Sequence, residues 1–126
     1  MDIKLSDMRS LPFNGESFDA LFSFHVIYHT DFKEIIKVIS EIYRVLKPNG
    51  EVFLTFNSKN SPNYIRNINK IDENTIIKQE GIPHYFIDEG DVKRLLAQFE
   101  IQKFLYVEDI RTNNSISYHY YVLVKR

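Results

Sequence analysis

One helical pattern between two short apolar segments constrains the fold of this chain more than any other feature. From Asp31 to Leu46, apolar side chains recur at the i, i+3, i+4, i+7 spacing of a helix with one buried face. The residues predicted to face the core are Phe32, Ile35, Ile36, Ile39, Ile42, Tyr43 and Leu46. Asp31 and Glu34 have the spacing of a capping box, and the Pro-Asn-Gly sequence at 48–50 is predicted to end the helix.

The flanking segments predict two parallel strands. Phe18–Phe24 is short, apolar and aromatic and is predicted to be a buried strand, and Glu51–Phe56 follows the helix as a second strand. A strand, a helix and a strand joined by short connections form a βαβ unit with a right-handed crossover. A further short strand is predicted for Asp2–Ser6, so the fold class is α/β.

The remaining chain is predicted to hold a polar excursion, a second helix and an antiparallel strand pair. The excursion, Asn57–Ile87, is expected to be an irregular and mobile surface segment, with a short helix starting at Ser61-Pro62. The later elements are predicted at Asp88–Phe99 (helix), Ile101–Glu108 (strand) and Ser117–Val124 (strand), with 111–115 as the connection between the strands.

Composition excludes several classes of protein. The 126 residues suit one domain, and no apolar run is long enough to span a membrane. The start lacks a signal-peptide pattern, and the chain has no cysteine, so we expect a cytoplasmic protein without disulfides. The net charge of −1, with scattered Lys and Arg, argues against nucleic acid as a partner.

Three motifs in order resemble class I S-adenosylmethionine-dependent methyltransferases of the small-molecule type. They are Asp7-Met8-Arg9-Ser10-Leu11-Pro12-Phe13, then Ser17-Phe18-Asp19-Ala20, then Glu41-Ile42-Tyr43-Arg44-Val45-Leu46-Lys47-Pro48-Asn49-Gly50. The resemblance implies a Rossmann-like fold and methyl transfer from S-adenosylmethionine to a small-molecule acceptor. Asn49 stands where the family usually has glycine; because Asn also tolerates a positive φ, the turn is expected to be kept.

The resemblance covers only the family's strands 3 to 7, so residues 1–126 are expected to form a single partial domain with a truncated Rossmann-like fold. The family's glycine-rich turn after strand 1 has no counterpart, because the chain's four glycines include no Gly-x-Gly. The acidic residue that ends strand 2 and holds the ribose is also missing. The chain alone is therefore expected to be inactive or impaired.

The resemblance also implies cofactor-binding residues. Asp7 matches the carboxylate that accepts a hydrogen bond from the adenine amino group, and Met8 matches the residue beside the adenine ring. Ser23 and Phe24 lie at the carboxyl end of a parallel strand, where open α/β sheets bind ligands. An Asp in a loop also caps local turns, so that alternative for Asp7 stays open.

His25 and His29 are the candidate acid–base groups, because imidazole titrates near neutral pH. Stabilisation of the loop before the helix is the alternative for His29. Asn57 and Ser58 are predicted to cap a strand, although they also suit acceptor binding. The clusters at 84–86 and 118–121 suit either an acceptor pocket or ordinary sheet packing, and no spacing predicts a metal site.

The missing strands would leave Phe18–Phe24 as an apolar edge strand, which favours pairing with another chain. We therefore expect a homodimer or a domain-swapped oligomer formed through that edge. The alternative function is a non-catalytic interaction module that pairs through the same edge with itself or with a separate N-terminal half.

Overall fold

The computed structural model describes residues 2–67, 69–78 and 80–126. Its elements in chain order are β1 (Phe18–Ser23), α1 (Phe32–Val45), β2 (Leu46–Ser58), α2 (Pro62–Ile65), β3 (Thr75–Ile77), β4 (Pro83–Ile87), α3 (Glu89–Leu95), β5 (Glu100–Ile110) and β6 (Ile116–Lys125).

The strands form one mixed sheet in the order β3-β4-β2-β6-β5, and β1 pairs with β2. β1 and β2 are parallel, which confirms the parallel pair predicted for the βαβ unit. β5 and β6 are antiparallel along almost their whole length, as predicted for the C-terminal pair. β6 also runs antiparallel to β2, so it connects β5 to the rest of the sheet. This α/β architecture matches the predicted fold class.

Helix α1 confirms the strongest sequence prediction, with a correction to its buried face. The Asp31 carboxylate accepts a hydrogen bond from the backbone N–H of Glu34 at 3.1 Å, which is one half of the predicted capping box. The Glu34 side chain does not complete the box, because it binds Arg9 and Lys37 instead. Phe32 and Ile36, predicted to be buried, are about half exposed, and the buried set is Ile35, Val38, Ile39, Ile42 and Val45.

The turn after α1 is continuous with β2, which starts earlier than the predicted Glu51. Asn49 adopts a φ of +67°, so the expected left-handed turn is confirmed at the position where the family favours glycine. Gly50 is required by space: a Cβ there would lie 2.8 Å from the carbonyl oxygen of Lys47 and 3.1 Å from that of Asp19.

β1 is a strand as predicted, but it is not buried. None of its residues is fully covered, and Phe22 is 74% exposed. The reason is its place in the sheet: among the described strands only β2 pairs with it, so its second edge is open. Phe24 lies one residue beyond the strand.

The strand predicted at Asp2–Ser6 is wrong. The segment has no regular structure, and Ile3 and Leu5 are exposed. An isolated strand is not stable without a neighbour to accept its backbone hydrogen bonds. No described strand lies beside this segment to supply them.

The excursion predicted at Asn57–Ile87 is more ordered than expected. The short helix at Ser61-Pro62 is confirmed as α2. The sequence analysis missed β3 and β4, which pair antiparallel to each other, while β4 extends the sheet beside the end of β2. Tyr85 and Ile87 of β4 are buried, so this part of the segment belongs to the core.

The core lies between the two longer helices and the centre of the sheet. α3 is shorter than the predicted Asp88–Phe99, but Asp88 caps it and Val92, Leu96 and Phe99 are buried as the periodicity indicated. These side chains join one apolar cluster with α1, β2 and β6. None of the helices in the described ranges is long and apolar enough to cross a membrane.

Candidate functional site

A polar cavity of about 220 Å³ opens where β2 ends and β6 begins. Side chains from six segments of the chain meet there, and we call the site the histidine cavity. The residues used below are Tyr28, His29, Lys78, His84, Arg111, Ser117 and His119. Asn57, at the end of β2, also lines it and donates a long, 3.5 Å hydrogen bond to the carbonyl oxygen of Tyr85.

His25 does not line this cavity but contacts two of its lining residues, Tyr28 and His119, and its backbone is strained. Its φ is +56°, which is uncommon for a residue other than glycine and is typical of functional sites. The turn is held by a 2.7 Å hydrogen bond from the His25 N–H to Thr55 Oγ1. The ring is held between two phenols: Nδ1 is 2.7 Å from the Tyr28 hydroxyl, and Nε2 is 3.4 Å from the Tyr121 hydroxyl.

The four histidines of the chain form two contacting pairs. The rings of His25 and His119 have centroids 4.6 Å apart, and those of His29 and His84 are 4.7 Å apart. Tyr28 connects the pairs, with its ring 4.8 Å from His29 and its hydroxyl on His25. Residues far apart in sequence therefore form one cluster.

Burial keeps this cluster uncharged at neutral pH. It lowers the pKa of His25, His29 and His84 below the usual 6.5, and that of His119 to about 4. Burial also raises the pKa of Tyr28 to about 12, so its hydroxyl keeps its proton. The site therefore offers neutral imidazoles that can accept hydrogen bonds or protons.

The predicted adenine residues lie elsewhere, beside β1. Asp7 is exposed and pairs with Arg9, and this side-chain hydrogen bond lowers the pKa of the Asp7 carboxyl to about 2. Met8 and Ser23 line a small apolar groove of about 140 Å³ between β1 and α1. The other apolar lining residues include Leu11, Leu21, Phe22, Val26 and Ile27.

Of the six predicted site residues, Asp7 is exposed and lines neither site, and the other five divide between two places. Met8 and Ser23 share the apolar groove, whereas His25 and His29 belong to the histidine cluster. Phe24 lies on the cluster side, because its ring is 4.0 Å from that of His25. The backbone N–H of His29 donates to the carbonyl oxygen of Val26 at 3.1 Å and closes the turn there, and both roles suggested for its side chain stay predictions.

The linked motifs at the N-terminus are held together by one ion pair. The Arg44 guanidinium, paired with Glu41 at 2.7 Å, donates hydrogen bonds to the carbonyl oxygens of Leu11 and Phe13. Glu41 in turn accepts the backbone N–H of Leu11 at 2.8 Å. This pair fixes the Leu-Pro-Phe loop on α1, so the two motifs occur together for a physical reason.

Sequence reasoning missed the charged residues of the cavity. Lys78 and Arg111 lie in connections between strands, where a single charged residue gives no periodic signal. Tyr28 lies buried in the loop between β1 and α1 and was not among the predicted site residues. Ser58 was predicted to cap a strand, and its hydroxyl does accept the N–H of Asn60 at 3.1 Å.

A metal site is not evident in the described part of the chain. No group of three or more His, Asp or Glu side chains there is arranged to hold an ion. The histidine rings contact one another and two phenols rather than converging on a common point.

The sequence of this chain is similar to those of known methyltransferases. The family described as "Methyltransferase domain" matches residues 1–54. A sterol methyltransferase-like protein from Botryococcus braunii is 35% identical over 80 residues, which are 62% of this chain and 20% of that protein. The chain therefore spans about a fifth of the length of this curated relative.

Solved structures match over nearly the whole chain. A SAM-dependent methyltransferase from Methanosarcina mazei is 23% identical, has a TM-score of 0.83, and is matched over 98% of this chain and 66% of its own. The 1,6-didemethyltoxoflavin-N1-methyltransferase of Burkholderia thailandensis, solved with S-adenosylhomocysteine, is 13% identical and has a TM-score of 0.70, over 96% and 48% of the two chains. The resemblance to class I S-adenosylmethionine-dependent methyltransferases is confirmed, and the described chain has their fold.

Proposed function

We propose that this chain supplies the acceptor side of an S-adenosylmethionine-dependent methyltransferase that acts on a small molecule. The observation that carries the proposal is the histidine cavity, which lies at the end of β2 in a chain with the class I methyltransferase fold. Ligands of open α/β sheets bind at this edge. A volume of about 220 Å³ suits a small acceptor. A cytoplasmic location remains a prediction.

The residues present fit one end of the cofactor. Asp7 would accept a hydrogen bond from the adenine amino group, and the apolar groove beside Met8 and Ser23 would take the flat ring. Among the described residues nothing corresponds to the glycine-rich turn or to the carboxylate that holds the ribose. The fit is therefore to the adenine end only.

S-adenosylmethionine, when bound, supplies an already activated methyl group, so the protein acts mainly by positioning the acceptor. His25 is the proposed catalytic residue of the chain. Its ring is fixed between Tyr28 and Tyr121 and is neutral near pH 7, so it can accept a proton from an acceptor hydroxyl or amine. His29 lines the cavity and is proposed to orient the acceptor.

The open edge of β1 supports completion of the domain by another segment. Phe22, Phe24 and Val26, in and just beyond this strand, are substantially exposed. Exposed apolar side chains beside an unpaired strand mark a surface that another chain covers. We propose as occupant a segment like the third of the M. mazei protein that this chain does not match.

A non-catalytic interaction module is the second candidate function. The same open edge supports it, because pairing through β1 requires no cofactor. A homodimer or domain-swapped oligomer through Phe18–Phe24 is its simplest form. The two candidates differ in what pairing achieves: completion should create a cofactor site, whereas self-pairing should not.

The test is complementation. The chain is co-expressed with the unmatched segment of the M. mazei protein, and S-adenosylhomocysteine is titrated into the purified complex by calorimetry. Methyl transfer predicts a stable complex that binds the ligand saturably, with His25→Asn lowering kcat in a competent complex while cofactor affinity is unchanged. A tight homodimer that excludes the segment and binds no ligand would favour the interaction module.

A further inference from the structure

The histidine cavity carries an excess of positive charge that methyl transfer by itself does not require. Lys78 and Arg111 both line it, and its lining includes no Asp or Glu. Within the described ranges neither side chain forms an ion pair. Cations are usual on a protein surface, but two that line one polar cavity give that cavity a preference for an anionic ligand.

The carboxylates nearest to the cavity lie outside its lining. Glu80 is 3.9 Å from His84 Nε2, and its charge also raises the pKa of Lys78. Asp109 precedes Arg111 at the end of β5 and raises the pKa of His25 and His119 through its charge, against their burial. These two residues moderate the positive field and do not occupy the interior.

Two buried polar atoms of the lining lack a partner. His119 Nδ1 and Ser117 Oγ make no hydrogen bond within the described structure, although His119 is only 3% exposed. An unsatisfied buried polar atom costs stability, so native structures pair such atoms with protein, water or ligand. Both atoms belong to residues of β6 that line the cavity, next to the two cations.

Burial of the ammonium group gives the same indication. The pKa of Lys78 is lowered chiefly by burial. The charge of Glu80 opposes this shift, and the smaller effect of the neighbouring Arg111 charge adds to it. An anion placed between the two cations would offset their repulsion and stabilise the charged form of the lysine. A bound anion would therefore reduce the electrostatic repulsion between the two cations of the cavity.

We propose that the methyl acceptor carries an anionic group, a carboxylate or a phosphate, that binds between Lys78 and Arg111. A polar group on the same molecule then pairs with His119 Nδ1 and Ser117 Oγ. This inference rests on the proposed function, because it names the class of molecule that the acceptor site takes. The small volume of the cavity limits the bound part to a small molecule or to the charged end of a larger one.

Binding of simple probes to the chain as it stands tests this proposal without the cofactor. Benzoate, inorganic phosphate and the neutral analogue benzamide are titrated in turn, and the histidine ring signals are followed by NMR. We expect saturable shifts of the His119 and His84 signals with at least one anion and none with benzamide. A response to benzoate alone would identify a carboxylate site, and a response to phosphate alone a phosphate site.

Charge-neutral variants provide the specificity control. Arg111→Gln and Lys78→Gln should each weaken anion binding about tenfold or more. Lys125→Gln removes the same charge at the far end of β6 and should leave the affinity within about twofold. Equal binding of benzoate and benzamide, no saturable shift with either anion, or equal losses in all three variants would overturn the proposal.

Results that contradict the anionic acceptor can be distinguished from results that contradict methyl transfer. Cofactor binding by the complemented complex without any anion response would leave methyl transfer standing and remove the anionic acceptor. An anion response in a chain that never binds S-adenosylhomocysteine after complementation would show an anion site that is not a methyl-acceptor site, which also contradicts the inference.

Discussion

The two candidate sites of this chain differ in how completely the chain itself builds them. The histidine cavity is lined by residues of β2, β4 and β6 and of several loops, including the one between β1 and α1. Several of its polar side chains are buried, among them Asn57, His84 and His119. The apolar groove between β1 and α1 is less complete, because Phe22, which lines it, is 74% exposed. The proposed acceptor side is therefore formed by this chain alone, whereas the proposed cofactor side would need a further surface to cover it.

The most severe test of this contrast compares two phenylalanines on neighbouring strands. Phe56 of β2 is fully buried, so Phe56→Ala should lower the free energy of unfolding by about 3–5 kcal/mol. Phe22→Ala should change it by less than about 0.5 kcal/mol, because the ring is already exposed. Urea denaturation of both variants measures the difference.

The same pair separates folding from association. Phe22→Ala should weaken binding of the complementing segment while leaving the chain folded. Equal destabilisation by both substitutions would mean that the β1 side is closed in solution, which contradicts the comparison.

Low pH should destabilise the folded chain, because it favours protonation of a buried histidine of the histidine cavity. The pKa of His119 is about 4 in the folded chain and near 6.5 when the ring is exposed. Between these two pH values the unfolded chain binds a proton at His119 and the folded chain does not. The stabilisation is complete above about pH 6.5 and is lost as the pH falls toward 4. At about 1.4 kcal/mol per pH unit, roughly 3 kcal/mol is lost over this range.

The measurement is the free energy of unfolding at several pH values from 7.5 to 4.5. His119→Asn should flatten the dependence by about one proton. The remaining slope should come from His25, His29 and His84, whose pKa values are also lowered by burial. An unchanged slope in the variant would show that His119 is not buried in solution.

The sequence predicted what depends on short-range periodicity and missed what depends on the partners of a strand. α1 and the antiparallel β5–β6 pair follow from spacing alone. Asp2–Ser6 alternates like a strand but has no neighbour to pair with. β3 and β4 lie within a polar segment whose composition indicated an irregular loop, and only tertiary packing orders them.

Some residues of the candidate site were likewise predicted from the sequence, and others were not. His25 was identified because it follows an apolar strand, and ligands bind at that edge. His84 and His119 were each assigned to a cluster of aromatic residues. Their contacts, His84 with His29 and His119 with His25, depend on the order of the strands in the sheet. Lys78 and Arg111 gave no signal, since a single charge in a polar loop is ordinary.

The ion pair between Arg44 and Glu41 should have a moderate effect. Arg44→Lys removes the planar fork that binds two carbonyl oxygens of the 11–13 loop, so we expect a loss of about 1 kcal/mol. Lys37→Ala is the matched control, because its pair with Glu34 is exposed and should contribute little. Thermal unfolding compares the two. A loss for Lys37→Ala as large as that for Arg44→Lys would show that the loop clamp adds nothing.

The smallest effect on stability is expected at Asp7. Its carboxylate is exposed and its main partner, Arg9, is only two residues away, so Asp7→Ala should change the free energy of unfolding by less than about 0.5 kcal/mol. Thermal unfolding checks this directly, and a larger loss would assign Asp7 to the fold rather than to the cofactor.

The central claim, that the chain builds the acceptor side and lacks most of the cofactor side, is tested most directly by calorimetric titration of S-adenosylhomocysteine. The account predicts no saturable binding to the chain alone up to about 1 mM, an affinity limit near −4 kcal/mol. It predicts saturable binding once the complementing segment is present, lost on Asp7→Ala. Tight binding to the chain alone that is indifferent to Asp7→Ala would contradict it.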